Sequence, residues 1–190
     1  LRQAARDWKL PVAALQKRIE AGKQALRYPE DLEEREAPPE ELSAYRAYEA
    51  ALAREGLWDF EDLLARPVRL MRRQPEVMEA YRRRFTHLLV DEYQDLNEAQ
   101  YQFFRALAGP GAEIMVIGDP HQAIYGFRGA SPAYFSRFLA DFPGAVALSF
   151  NETYRLPPPL LVASEHLRAA GKAATGASVT HRAGDLPLVL

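Results

Sequence analysis

Three segments of the chain place polar side chains directly after short apolar runs, where they can do chemistry. In the first, Leu88-Leu89-Val90 ends abruptly in Asp91-Glu92-Tyr93-Gln94-Asp95. A short apolar run bounded by polar residues reads as a buried strand, and ligands of open parallel α/β sheets bind outside the carboxyl ends of such strands. A magnesium-bound nucleotide sitting there would find Asp91 to hold a water on the metal. Glu92 would orient and deprotonate the attacking water. The plain alternative is a strand that runs into an acidic surface turn.

In the second segment the run Ile114-Met115-Val116-Ile117 leads into Gly118-Asp119-Pro120-His121-Gln122-Ala123-Ile124-Tyr125-Gly126-Phe127-Arg128-Gly129-Ala130. A glycine-punctuated loop here displays the Gln122 amide, the rings of Tyr125 and Phe127, and the Arg128 guanidinium. That combination can sense a phosphate on one side and stack bases on the other. In the opposing reading Tyr125 and Phe127 are core residues and Arg128 is a solvated charge, but Gly118, Gly126 and Gly129 add backbone entropy that a packed segment avoids. In the third segment Val146-Ala147-Leu148 is followed by Asn151-Glu152-Thr153-Tyr154-Arg155. An arginine beside a nucleotide cleft can neutralise charge that develops on a transferred phosphoryl group, although a Tyr-Arg pair by itself is usually structural.

The elements that must position these residues alternate. Strands over 88–90, 114–117 and 146–148 interleave with helices over 98–108, 132–141 and 157–167, the pattern of a parallel α/β sheet whose apolar strands are covered on both faces. The first third reads instead as helical and solvent-facing. Pro11 starts a helix carrying Val12, Leu15, Ile19 and Leu26 among Lys17, Arg18, Lys23 and Arg27. A second helix has Leu42, Tyr45, Tyr48 and Leu52 near one face and stops at Gly56. Asp59 can cap a further helix bearing Phe60, Leu63 and Leu64, which Pro67 is expected to break or kink.

Composition sets limits. The 190 residues are 48% hydrophobic and 26% charged, so one ordinary domain or two small ones with a real core is expected. The formal net charge of -2 lends no bulk attraction to nucleic acid, so any such contact must come from a local patch. With no cysteine there is no disulfide framework, thiolate zinc site or cysteine nucleophile. No apolar run approaches the roughly 18 residues of a membrane span, and a cytoplasmic location is expected.

The order and spacing of the three segments resemble the UvrD/Rep/PcrA family of superfamily 1 DNA helicases. Asp91 to Asp95 looks like helicase motif II, Gly118 through Ala130 like motif III, and Asn151 through Arg155 like motif IV. Upstream, Trp58-Asp59-Phe60-Glu61-Asp62-Leu63-Leu64 is similar to the family's Asp-Phe-x-Asp-Leu-Leu element. The chain departs from the family's pattern at Ala123, Thr153 and Leu156, none of which removes a charged group.

The resemblance implies an α/β fold with a RecA-like parallel sheet of the P-loop NTPase type and flanking helices, preceded by a small all-helical accessory domain. The accessory domain would span 1–56, the C-terminal part of the first RecA-like domain 57–155, and the connection to a second such domain 156–190. It further implies a 3′-to-5′ helicase or translocase that uses ATP and Mg2+, with single-stranded DNA and single/double-strand junctions as partners. Asp91 would be the metal ligand, Glu92 the catalytic base, and Gln122 the γ-phosphate sensor coupled to DNA. Tyr125, Phe127 and Arg128 would lie along the strand, Tyr154 on the adenine, and Arg155 on the γ-phosphate as an arginine finger.

No Gly-x-x-x-x-Gly-Lys-Ser/Thr occurs: Gly22-Lys23 is followed by Gln24, and Gly171-Lys172 by Ala173. That loop supplies the amides, lysine and hydroxyl that cradle the phosphates. Further sequence is therefore expected at both ends, the remainder of the helicase being the missing partner, and the 190 residues alone are expected to be inactive. The competing reading is a non-catalytic DNA- or protein-binding module that keeps the fold. A helicase-nuclease fusion would need a nuclease region after residue 190.

Overall fold

The computed structural model of the chain describes residues 1–32, 37–123, 126, 131, 133–150, 157, 159, 160, 162, 163 and 166, with the backbone alone at 121 and 186–189. They form two compact units. The first comprises the described residues within Leu1–Thr86, Leu96–Ala112 and Tyr125–Ala130, and the second those within His87–Asp95, Glu113–Ile124 and Ser131–Leu190.

The first unit is helical: α1 (Arg2–Asp7), α2 (Val12–Gln24), α3 (Pro39–Glu55), α4 (Asp62–Arg73), α5 (Pro75–Arg84) and α6 (Glu98–Leu107). Pro11 holds an extended conformation just before α2, where its missing N–H is no loss. α3 ends at Gly56, whose φ of 65° is the left-handed conformation that closes a helix and suits glycine. α6 opens with a reciprocal cap, Asn97 Oδ1 accepting from the Gln100 N–H at 3.0 Å and Gln100 Oε1 from the Asn97 N–H at 2.9 Å. Ala4, Ala5, Leu15, Ile19, Ala44 and Tyr45 make one buried cluster. Leu26, Tyr28, Ala65, Val68 and Ala99 make another. α4 continues through Pro67, which was expected to break or kink it; Ala65, Val68 and Met71 stay buried on either side.

α2 buries a stripe at four-residue spacing, and its third member is charged: Leu15, Ile19 and Lys23. The Lys23 side chain is fully inaccessible, with Nζ 2.7 Å from Glu49 Oε1, 2.7 Å from Asp59 Oδ2 and 2.9 Å from Asp62 Oδ1. The Tyr28 hydroxyl donates to Asp62 Oδ1 at 3.0 Å and the Tyr48 hydroxyl to Asp59 Oδ2 at 3.1 Å. Arg66 Nε lies 3.1 Å from Asp62 Oδ2. A charge survives burial only when it is paired and hydrogen-bonded, and Lys23 meets both conditions. It therefore leaves the solvent-facing set in which its sequence neighbours placed it.

Burial pulls the Lys23 ammonium down, but its hydrogen bonds to Asp59, Glu49 and Asp62 outweigh burial and hold it above its ordinary value. Burial likewise pushes the Asp62 carboxyl up, and the bonds from Lys23 and Arg66 carry it below the usual carboxylate range. Glu49 stays above that range because burial exceeds what Lys23 returns. Asp59 and Asp62 also fix the turn into α4, Asp59 Oδ1 accepting from the Asp62 N–H at 2.9 Å and Asp62 Oδ2 from the Asp59 N–H at 3.4 Å. Phe60 and Leu63, in the same element, are 78% and 56% exposed, so the acidic residues rather than these apolar ones anchor it.

The second unit holds a four-stranded sheet in the order β1-β2-β4-β3, made of β1 (His87–Val90), β2 (Glu113–Ile117), β3 (Ala147–Phe150) and β4 (Leu186–Val189). β1 and β2 are parallel, with Leu88 opposite Ile114 and Val90 opposite Val116. β4 enters between β2 and β3 from the opposite direction, Val189 facing both Val116 and Ala147. The sheet is thus mixed rather than wholly parallel, because β4 satisfies the facing backbone groups of two neighbours that run the same way. α7 (Ala133–Asp141) buries Tyr134, Phe135 and Phe138. Coverage of both faces is incomplete among the described residues: Leu89 is 74% exposed and every residue of β3 is exposed.

Candidate active site

The carboxyl end of β1 turns sharply. Glu92 has a φ of 50°, a left-handed conformation that residues with a Cβ seldom adopt. Asp91 Oδ1 stabilises the turn by accepting from the Glu92 N–H at 2.8 Å, and the Glu92 carbonyl accepts from the Asp95 N–H at 2.8 Å. Asp91 and Glu92 consequently face solvent, while Tyr93 turns inward. Its ring meets those of Phe135 and Phe138 edge-on, with centroids 5.3 and 5.7 Å away, which pins the turn to α7.

Gln94 ties this turn to the end of β2. The side chain is 1% exposed. Its Oε1 accepts from the Asp119 N–H at 2.9 Å and its Nε2 donates to Glu92 Oε2 at 2.6 Å. The amide orientation follows from the network, since only its oxygen can accept from a backbone N–H. Gly118 makes room for it: a Cβ there would stand 2.4 Å from Gln94 Oε1 and 2.9 Å from the Tyr93 nitrogen. The Asp119 carbonyl accepts from the Gln122 N–H at 2.9 Å, and Asp119 Oδ2 accepts from Gln122 Nε2 at 2.9 Å. Asp91, Glu92 and Gln122 are thereby gathered at the carboxyl ends of two adjacent parallel strands. Gln94 shows in the sequence only as a neutral amide set between the acids of the strand end.

The remaining residues singled out from the sequence, Tyr125, Phe127, Arg128, Tyr154 and Arg155, lie outside the described residues. Burial and then the Glu92 charge hold the Asp95 carboxyl above its usual range. Among the described residues no group of three or more histidine or acidic side chains forms a metal cage. One exposed aspartate is nonetheless the donor set that suits magnesium, which keeps several waters and takes its other oxygens from phosphates.

Residues 3–143 match the family described as UvrD/REP helicase N-terminal domain. The chain belongs to that family. It is 45% identical over 123 residues to DNA helicase II of Escherichia coli (strain K12), covering 65% of this chain and 17% of that protein. It is 38% identical over 128 residues to DNA helicase II of Haemophilus influenzae, covering 67% of this chain and 18% of that protein. With the ATP-dependent DNA helicase UvrD1 of Mycobacterium tuberculosis it shares 37% identity over 139 residues, 68% of this chain and 18% of that protein. The chain thus spans less than a fifth of the length of these relatives. Among the described residues of this UvrD/REP chain, no helix is long and apolar enough to cross a membrane.

Proposed function

We propose that this chain is the portion of a 3′-to-5′ DNA helicase that carries the catalytic carboxylates and the first coupling segment of a RecA-like ATPase domain. The observation that carries the reading is the Gln94 bridge, which holds Glu92 of one strand end to Asp119 of the next, with Gln122 bonded to the same aspartate. A group that deprotonates water must be held at a fixed angle, and a carboxylate anchored through one oxygen keeps the other for the water. Gln122, bonded to Asp119, would feel a change at the nucleotide through that aspartate.

In this reading Asp91 would hold Mg2+, whose positive charge would offset the negative charge that develops on the transferred phosphoryl group. Tyr154 and Arg155 serve the nucleotide. Tyr125, Phe127 and Arg128 serve the single strand, including its junction with duplex. The 190 residues contain no Gly-x-x-x-x-Gly-Lys-Ser/Thr loop, so they do not turn over ATP alone. The test is Glu92→Gln in the longer helicase that contains this chain. DNA-stimulated hydrolysis should fall by orders of magnitude while ATP affinity stays within a few-fold. Equal loss of binding and turnover would make Glu92 structural, and normal turnover would remove it from the chemistry.

A further inference from the structure

Within the helical unit a cleft of about 560 Å³ opens between α3 and α4, inside the range of roughly 300–1,000 Å³ usual for small-ligand sites. Arg66, Arg69 and Arg73, spaced three and four residues apart, line it from one face of α4. Two of the three are held in place. Arg66 Nε lies 3.1 Å from Asp62 Oδ2, and the Arg69 guanidinium stands over the Tyr28 ring, 4.0 Å from its centroid. Leu70, 45% exposed, lies beside them on the same face, and α3 contributes the small side chains of Ala50 and Ala53, which leave the cleft open.

The two acids that line the cleft are held differently. Glu49 is committed to the buried Lys23, whose Nζ lies 2.7 Å from its Oε1. Glu30 pairs with Arg69 and feels the charge of Arg73, yet its side chain is 57% exposed against 20% for Arg69. An ion pair this open adds little to stability, so the arginine is fixed while its acid is free to leave.

We propose that the cleft binds the carboxylate of an acid with an apolar body, which takes the place of Glu30 on Arg69 and Arg73 while its apolar part lies against Leu70, Ala50 and Ala53. The planar fork of a guanidinium matches a carboxylate, and an arginine already clamped loses little freedom when it binds one. Exchange with Glu30 leaves the charge of the cleft unchanged. A phosphate would bring further negative charge toward Glu49, so a singly charged acid is the better fit. Such an acid is either a free small molecule or a glutamate in a protein segment. The inference does not rest on the helicase reading, since Asp91, Glu92 and Gln122 belong to the other unit.

The test is a nitrogen-15 NMR titration of the 190-residue chain that reads the Nε–Hε signals of its arginines. The probes are hexanoate and the peptide acetyl-Leu-Glu-Leu-amide, with hexanamide and inorganic phosphate as controls. Either acid should move the Arg69 and Arg73 signals saturably, and hexanamide should not. Tighter binding of hexanoate would support the proposal with a free acid as the source, and tighter binding of the peptide would support it with a protein segment. Arg73→Gln should weaken binding about tenfold, the worth of one charge-assisted hydrogen bond. Glu30→Gln should tighten it severalfold, because the internal competitor is gone. Both residues are exposed, so melting temperatures should hold. No saturable shift with either acid, an equal response to hexanamide or phosphate, or unchanged affinity in either variant would overturn the proposal. A lower melting temperature in Glu30→Gln would overturn it too, because the pair with Arg69 would then be structural.

Discussion

Lys23 and Asp62 form an ion pair in which both side chains are wholly inaccessible to solvent, Nζ lying 2.9 Å from Oδ1. Lys23→Met keeps the volume of the stripe that α2 buries but leaves Glu49, Asp59 and Asp62 facing one another with Arg66 as the remaining cation. Breaking a buried pair from one side destabilises by about 3–5 kcal/mol. The guanidinium midpoint of the helical unit should shift accordingly, and Lys23→Met combined with Asp62→Leu should recover part of the loss. An unchanged midpoint in the single variant would mean that the cluster is neutral to stability.

The same cluster sets two pH limits. Asp62 is depressed below its ordinary 3.8, so its contribution is complete above that value and is lost as pH falls through the lower folded value. Lys23 is raised above 10.5, so its contribution is complete below that value and is lost as pH rises through the higher folded one. Glu49 acts in the opposite sense. Raised above 4.5, it takes its proton first in the folded state, so ionising it lowers stability as pH climbs from there. Denaturant midpoints measured from acid to alkali should therefore fall at both ends. Asp62→Asn should flatten the acid limb, and an unaltered acid limb in that variant would show that other carboxylates govern it.

Gly118→Ala should disturb the strand ends more than its size suggests. The new Cβ would meet Gln94 Oε1 at 2.4 Å, the Tyr93 nitrogen at 2.9 Å and Phe135 Cζ at 3.0 Å, two of which belong to tightly held groups. Overpacking of this kind costs about 1–3 kcal/mol. A fall in melting temperature is the expected readout, with loss of hydrogen-exchange protection at the Asp119 amide once Gln94 is displaced. Full protection at Asp119 in the variant would show that the glycine is replaceable.

Local elements were legible in the residues. The runs Leu88-Leu89-Val90 and Ile114-Met115-Val116-Ile117 fall within β1 and β2, and the helices expected over 98–108 and 132–141 are found as α6 and α7, because short apolar runs and cap residues are local signals. Lys23 was not legible as buried, since its partners Glu49, Asp59 and Asp62 come from later elements and only the fold brings them near. The direction of β4 was hidden for a similar reason: an apolar run reads alike either way. The position of Asp91 and Glu92 at a strand end could be read from the apolar run that precedes them. Gln94 could not, because its purpose depends on Gly118 and Asp119 of the neighbouring strand.

The left-handed backbone at Glu92 sets two selective demands against each other at one codon. A glycine or asparagine would sit at φ 50° with less strain, by roughly 1 kcal/mol, and would remove the carboxylate in the same step. A library of residue-92 variants sorted only for survival of heating should therefore drift to glycine and asparagine, whereas one sorted for turnover in the longer helicase should return to glutamate. If glutamate prevailed under heating alone, the turn would be shown to hold it without strain.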